Sequence, residues 1–286
     1  MSMERYYRFA GVEVAVELPE DRFFTDARDL APFAVESVED PHRYSFRFVE
    51  ELTPPEGEWV ATPPGLRVYR TGTGEVRYVG TVQDHWENGY IRVEHRGKDH
   101  RVELKNSQFP GRVGTHTVLD AMAAEHLVAQ AHGVIFHSSY IKYKGKAILF
   151  TAPSGTGKST QAELWRKLRG AEILNGDRSA IQVMDDVVYA AGVPFSGSSQ
   201  ICVNCTLPLA AIVYLGQAPQ TTIHRLRGYE AFARIWEGCS VNTWDEADLS
   251  RASEVVKHAA ATVPVFYLPC TPDESAVIAL EGALEG

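Results

Sequence analysis

Apolar and polar side chains alternate along the first third of the chain. Between residues 9 and 18, Val12, Val14 and Val16 interleave with Glu13, Ala15 and Glu17, the two-residue period of a strand with one face buried. The same alternation predicts short strands over 44–49, 66–69, 76–82, 90–94 and 100–104. Turn-forming clusters separate them, at Pro54-Pro55-Glu56-Gly57, Pro63-Pro64-Gly65 and Gly72-Thr73-Gly74. This spacing predicts a small antiparallel sheet or partial barrel, and no catalytic motif falls within it.

The pattern changes around residues 106–114. Over 117–131, Leu119, Met122, Ala123, His126 and Leu127 share one helical face. A strand is expected over 134–143, then a turn at Lys144-Gly145-Lys146 and a second strand over 147–151. A glycine-rich loop leads into a helix over 158–168, which Arg169-Gly170 ends with a cation in the last turn and a glycine beyond it. Further on, the pattern predicts a strand over 172–175, a hairpin over 180–190 turning at Asp185-Asp186, and a buried strand over 207–215. Helices are expected over 229–236, 245–261 and 273–284. The chain thus divides into a β-rich N-terminal domain, 1–112, and an α/β domain, 113–286, with no internal repeat.

Composition narrows the function classes. The formal charge is −9, from 37 acidic and 28 basic residues, and this repels a phosphate backbone, so a nucleic-acid partner is not expected. Hydrophobic residues make up 44% and charged residues 23%, as in ordinary globular domains. No apolar run reaches the ~18 residues that a membrane span needs, and residues 1–8 lack the apolar core of a signal peptide. Cys202 and Cys205 form a single CxxC, while Cys239 and Cys270 stand alone. That spacing suits packed free thiols in a reducing cytoplasm better than a four-thiolate metal site.

The chemistry concentrates in Ala152-Pro-Ser-Gly-Thr-Gly-Lys-Ser159. This is the phosphate-loop pattern with alanine at its first position. The expected strand lies before it and the expected helix after it. Gly155 and Gly157 leave room for backbone N–H groups to turn inward around phosphate oxygens, and the helix start adds further donors and partial positive charge. Ser154, Gly155, Thr156, Gly157, Lys158, Ser159 and Thr160 are therefore the expected contacts of ATP or GTP. Lys158 would bridge the β- and γ-phosphates, and the Ser159 hydroxyl would sit on Mg²⁺.

Asp177 follows a short strand about twenty residues beyond the loop, where the strand ends of an α/β sheet converge on a ligand. It suits a ligand of Mg²⁺ or a base for an acceptor hydroxyl; a turn aspartate capping its own backbone is the plain alternative. His137 stands mid-strand between Phe136 and Ser138-Ser139, a placement that is most often structural. The loop Pro194-Phe-Ser-Gly-Ser-Ser-Gln200 carries small and hydroxyl side chains suited to facing an acceptor or metal, and equally to a plain loop. Arg225 and Arg227 could offset transition-state charge or serve only as solvated surface. Trp236 and Trp244 read as core or lid residues.

The run from His137 to Ser159, followed by Asn175-Gly-Asp-Arg178, resembles the HPr kinase/phosphorylase family, which shares its nucleotide-binding core with phosphoenolpyruvate carboxykinases. Gly192-Val-Pro-Phe-Ser-Gly-Ser198 and Tyr267-Leu-Pro-Cys-Thr-Pro-Asp273 extend the likeness over about residues 130–286. The resemblance implies an α/β (α+β overall) fold whose P-loop lies in a mixed sheet. It also implies Lys158 and Ser159 on phosphates and metal, Asp177 as base, His137 near the transferred phosphate, and a homo-oligomer. The chain departs from the family at Gly176-Asp177, where paired aspartates are usual, and at Thr160, where a glutamate follows the loop serine. The expected activity is transfer of the γ-phosphate to a hydroxyl of a small molecule or a peptide or protein serine. The alternative is a nucleotide-binding regulatory module without turnover.

Overall fold

In a computed structural model of the chain, residues 2–22, 29–82 and 85–285 are described. They form a mixed α/β structure, divided into two compact units, Met1–Ala124 and Glu125–Gly286. No helix among the described residues is long and apolar enough to cross a membrane.

The first unit holds nine strands: β1 (Ser2–Phe9), β2 (Val12–Pro19), β3 (Ala34–Val35), β4 (His42–Val49), β5 (Glu58–Ala61), β6 (Leu66–Thr71), β7 (Gly74–Val79), β8 (Ile91–Arg96) and β9 (Asp99–Lys105). They make one sheet in the order β3-β1-β2-β4-β9-β8-β7-β6-β5. The expected antiparallel sheet is thus mixed, because β4 runs parallel to both β2 and β9. Neither pair is joined by a tight turn, so local pattern cannot report its direction. Alternation nonetheless places the core, burying Val14, Val16, Tyr44, Tyr78, Val93 and Val102. Three buried histidines join neighbouring strands: His42 Nδ1 lies 3.0 Å from His100 Nε2, and His95 Nδ1 lies 3.0 Å from His100 Nδ1. The helix expected over 117–131 is two, α1 (Thr115–Met122) and α2 (Ala124–Gln130), separated by Ala123 in a left-handed conformation at φ 50°.

The second unit contains a ten-stranded sheet. Its strands are β10 (Gly133–His137), β11 (Ser139–Tyr143), β12 (Lys146–Thr151), β13 (Glu172–Asn175), β14 (Arg178–Met184), β15 (Val187–Gly192), β16 (Thr206–Gln217), β17 (His224–Leu226), β18 (Cys239–Ser240) and β19 (Val265–Cys270). The main path is β13-β11-β12-β16-β15-β14-β10-β18, and β19 branches from β16. Helices α3 (Lys158–Arg169), α4 (Gly228–Trp236), α5 (Glu246–Thr262) and α6 (Glu274–Glu285) complete it.

Both faces of the centre are covered, which explains why β12 and β16 read as unbroken apolar runs. Ile148, Phe150, Val213 and Leu268 pack with Trp165 of α3 and Leu280 of α6. On the other face, Leu149, Ile212 and Val265 pack with Ile235 of α4 and Val256 of α5. The pair β12/β16 is parallel, as is β16/β19. Their C-terminal ends at Thr151, Gln217 and Cys270 therefore open on one edge, where α/β sheets bind ligands.

Candidate functional site

The glycine-rich loop sits on that edge, between β12 and α3. Gly155 has φ +79° and Gly157 has φ +120°, and a Cβ added at either would meet nothing within 4 Å. Backbone conformation, rather than crowding, requires glycine at both positions. The Thr156 amide donates to the Pro153 carbonyl at 3.3 Å, and Gly157 starts α3 without a side chain to cap it. The amides of the first helical turn are left for a ligand. Ser154, Ser159 and Thr160 are exposed on this loop and helix start.

Lys158 is the exception, because it is buried. Its ammonium donates to the Ala152 carbonyl at 3.0 Å and lies 3.5 Å from that of Pro153. Burial lowers its pKa, and the Asp177 carboxylate acts in the opposite direction. A desolvated cation that donates to carbonyl oxygens favours the arrival of an anion. Beside the loop lies a cavity of about 410 Å³. Gly155, Thr156, Gly157, Thr160, Gln217 and Cys270 contribute to its wall.

Asp177 and His137 come together because two strands break at the same level. The strand expected over 134–143 is interrupted at Ser138, whose amide donates to the Asp177 carbonyl at 3.0 Å instead of to a neighbouring strand. This break turns β10 into β11 and leaves His137 at a strand end rather than mid-strand. Thr151 at the end of β12 donates its hydroxyl to the His137 carbonyl at 2.9 Å. His137 Nε2 then stands 3.6 Å from Asp177 Oδ1, longer than a hydrogen bond but close enough for strong attraction when the ring is protonated. Arg178 Nε lies 3.5 Å from Asp177 Oδ2. The Asp177 pKa is lowered by His137 foremost and by Arg178 and Lys158 as well, against a smaller opposing effect of burial.

One residue here was given no role from sequence. Asn175 is buried and accepts the amides of Asp177 and Arg178; the signal was present, since Asn before Gly-Asp is a turn signature. The loop over 194–200 passes directly over the carboxylate. A Cβ on Gly197 would stand 2.6 Å from that of Asp177, and the Arg178 guanidinium lies 5.2 Å from the centre of the Phe195 ring. Arg225, by contrast, lies over Phe266 near the start of β19, toward the sheet edge opposite the glycine loop. Trp236 stacks on Phe232 and packs against the core. All four cysteines are free.

A second polar cluster joins α2 to the start of α5. His126, Asp245 and Asp248 bring three potential metal ligands within 4.8 Å of one another. Their hydrogen bonds identify it as a brace. The buried Asp248 takes His126 at 2.8 Å, Asn242 at 3.0 Å and Arg251 at 3.4 Å, while Asp245 caps α5 by accepting the Asp248 amide at 2.9 Å. The nearby arginine and the positive helix end both oppose a cation. Asp245→Ala should cost about 0.5–2 kcal/mol through loss of the cap. Denaturant unfolding checks this, and an unchanged unfolding midpoint would contradict the cap.

Comparison with known proteins gives a family and a faint structural likeness. Among solved structures the chain is similar to the Hpr(Ser) kinase/phosphatase from Coxiella burnetii, at 12% identity and a TM-score of 0.32, over 53% of this chain and 99% of that one. A score that low carries no fold assignment. No curated protein matches the chain. The model of the family described as SynChlorMet cassette protein ScmC matches residues 117–271, more than half of the 286 residues and including Lys158, His137 and Asp177, and the chain belongs to that family.

Proposed function

We propose that the chain is a kinase that uses a P-loop core of the HPr kinase and phosphoenolpyruvate carboxykinase type. It transfers the γ-phosphate of ATP or GTP to a hydroxyl of a small molecule or a peptide or protein serine. The observation that carries this reading is the buried Lys158 ammonium at an uncapped helix start, just after two positive-φ glycines and within electrostatic reach of Asp177. In this reading the amides of residues 154–160 cradle the phosphates and Lys158 neutralises charge on the β- and γ-oxygens. Ser159 and Asp177 would hold Mg²⁺, which supplies charge neutralisation at the leaving group. The acceptor oxygen attacks the γ-phosphorus, the bond to the β-phosphate oxygen breaks, and the hydroxyl proton passes to Asp177. A carboxylate held below its ordinary range is a weak base. Its larger contribution is therefore orientation, and a loose transition state asks for little more. His137 stands beside Asp177, where it can meet the transferred group.

One feature favours a second reading, a nucleotide-binding module without turnover. The usual second carboxylate is replaced by Gly176, and a Cβ there would lie 2.2 Å from Ser199 Oγ. This turn thus carries one carboxylate, that of Asp177.

The test is paired. Wild type and Asp177→Ala are incubated with γ-labelled ATP, Mg²⁺ and pools of hydroxyl metabolites and peptides, and nucleotide affinity is measured on the same samples. The kinase reading expects a labelled acceptor in wild type, a loss of about 10²–10⁴-fold in the variant, and affinity largely kept. Tight binding with no transfer from any pool would move the assignment to the module. The pH profile supplies a further check. Because the Asp177 pKa is lowered from 3.8, the ionised form persists above that range and is lost only as pH falls through the depressed value. Asp177 should therefore add no acid limb to the rate between about pH 5 and 8.

A further inference from the structure

We infer that Asn175 is the positioning residue of this site, holding the turn that carries Asp177 and tying it to the loop that crosses above. Its consequence for phosphate transfer rests on the kinase reading, whereas its consequence for Asp177 does not.

Asn175 has no solvent exposure. Its Oδ1 accepts the Asp177 amide at 2.9 Å and the Arg178 amide at 3.0 Å. Its Nδ2 donates to the Val193 carbonyl at 3.1 Å. The main chain is anchored on both sides, by Tyr140 of β11 and by a bridge to Cys202, so the amide acts from a fixed base. Both ends of that amide are needed. Aspartate would lack the donor and bury a second charge beside Asp177, and leucine would leave two amides and a carbonyl unmet.

Val193 opens the segment that leads to Gly197, which lies against the Asp177 side chain. One buried side chain therefore fixes the carboxylate through its own backbone and also the segment covering it. A displacement of about 1 Å at such a group can lower a rate about 10²-fold.

The experiment compares wild type, Asn175→Ala and Asn175→Ser in label transfer, resolved into kcat and the KM for ATP, and in hydrogen exchange at the Asp177 and Arg178 amides. A serine hydroxyl accepts a neighbouring backbone amide in the same kind of turn, more weakly. In folded Asn175→Ala both amides should exchange faster than in wild type. The kcat for transfer should fall about 10–100-fold with the KM for ATP unchanged, and Asn175→Ser should lie between the two. If Asn175→Ala does not fold, Asn175→Ser against wild type decides. Folded variants that transfer as wild type does, or whose two amides exchange as in wild type, would overturn the inference and leave Asn175 a fold residue. A wild type that transfers no phosphate would refute the kinase reading, and the amide exchange would still decide whether Asn175 holds the turn.

Discussion

Replacing Lys158 by methionine is expected to remove function and to leave the fold at least as stable as before. The two effects have opposite signs for one reason. Burial disfavours the charged ammonium and lowers its pKa, so in the ligand-free protein the cation is less comfortable folded than unfolded at any pH below its folded pKa. Methionine keeps most of the volume and removes that penalty. In the proposed kinase the same cation would meet phosphate oxygens of the nucleotide, and a charge-assisted contact of this kind is worth about 1.5–3 kcal/mol. Affinity should therefore fall about 10–100-fold and transfer by about 10²–10³-fold, while the thermal midpoint without ligand holds or rises. Calorimetric titration with ATP and thermal unfolding decide it. A variant that binds ATP as wild type does would remove Lys158 from the phosphate site.

The largest stability effect is expected at Trp165. Its ring is fully buried on the inner face of α3, edge-on to Tyr143 at 4.9 Å between ring centres and tilted to Phe150 at 6.5 Å. Truncation to alanine removes the main contact between the helix behind the glycine loop and the sheet. Loss of a buried tryptophan costs about 3–5 kcal/mol, which lowers the unfolding midpoint of a unit this size by on the order of 10 °C. Trp165→Phe should recover much of it. A loss below about 1 kcal/mol would mean that the site collapses around the gap more readily than cores normally do.

The sequence reveals unequal parts of this architecture, and the difference is physical. The helix behind the loop was legible because its apolar face, its glycine stop and the preceding strand all agree. The hairpin at Asp185-Asp186 was legible too, since both aspartates take the left-handed conformation that such turns demand. The breaks were not. Ser138 lies in a stretch that reads as one continuous strand, and the distant Asp177 carbonyl draws its amide out of the ladder. Ala123 is a good helix former, yet it ends α1 in a left-handed conformation. Parallel pairing in the first sheet is similarly set by segments far apart in sequence. Of the candidate site, Lys158, Asp177 and His137 could be named from motif and resemblance, but the 3.6 Å approach of the last two depends on that hidden break. Asn175 was overlooked because its work is done by a side chain whose partners include Val193, well beyond the local turn.

The parallel trio of β12, β16 and β19 also sets an order of events during synthesis. Ile148 pairs opposite Ala211, and Ile212 opposite Val265. The centre of the second sheet therefore awaits residues emerging long after the glycine loop, and such distant pairings form slowly. Cys270 and Pro272 belong to the cavity wall, so a nascent chain stalled before them carries the full phosphate motif without the pocket. The nine strands of the first sheet are complete by Lys105 and wait for none of this. A complete pocket beside the glycine loop is thus a late event in a growing chain, a marker that the last strand has been threaded into place.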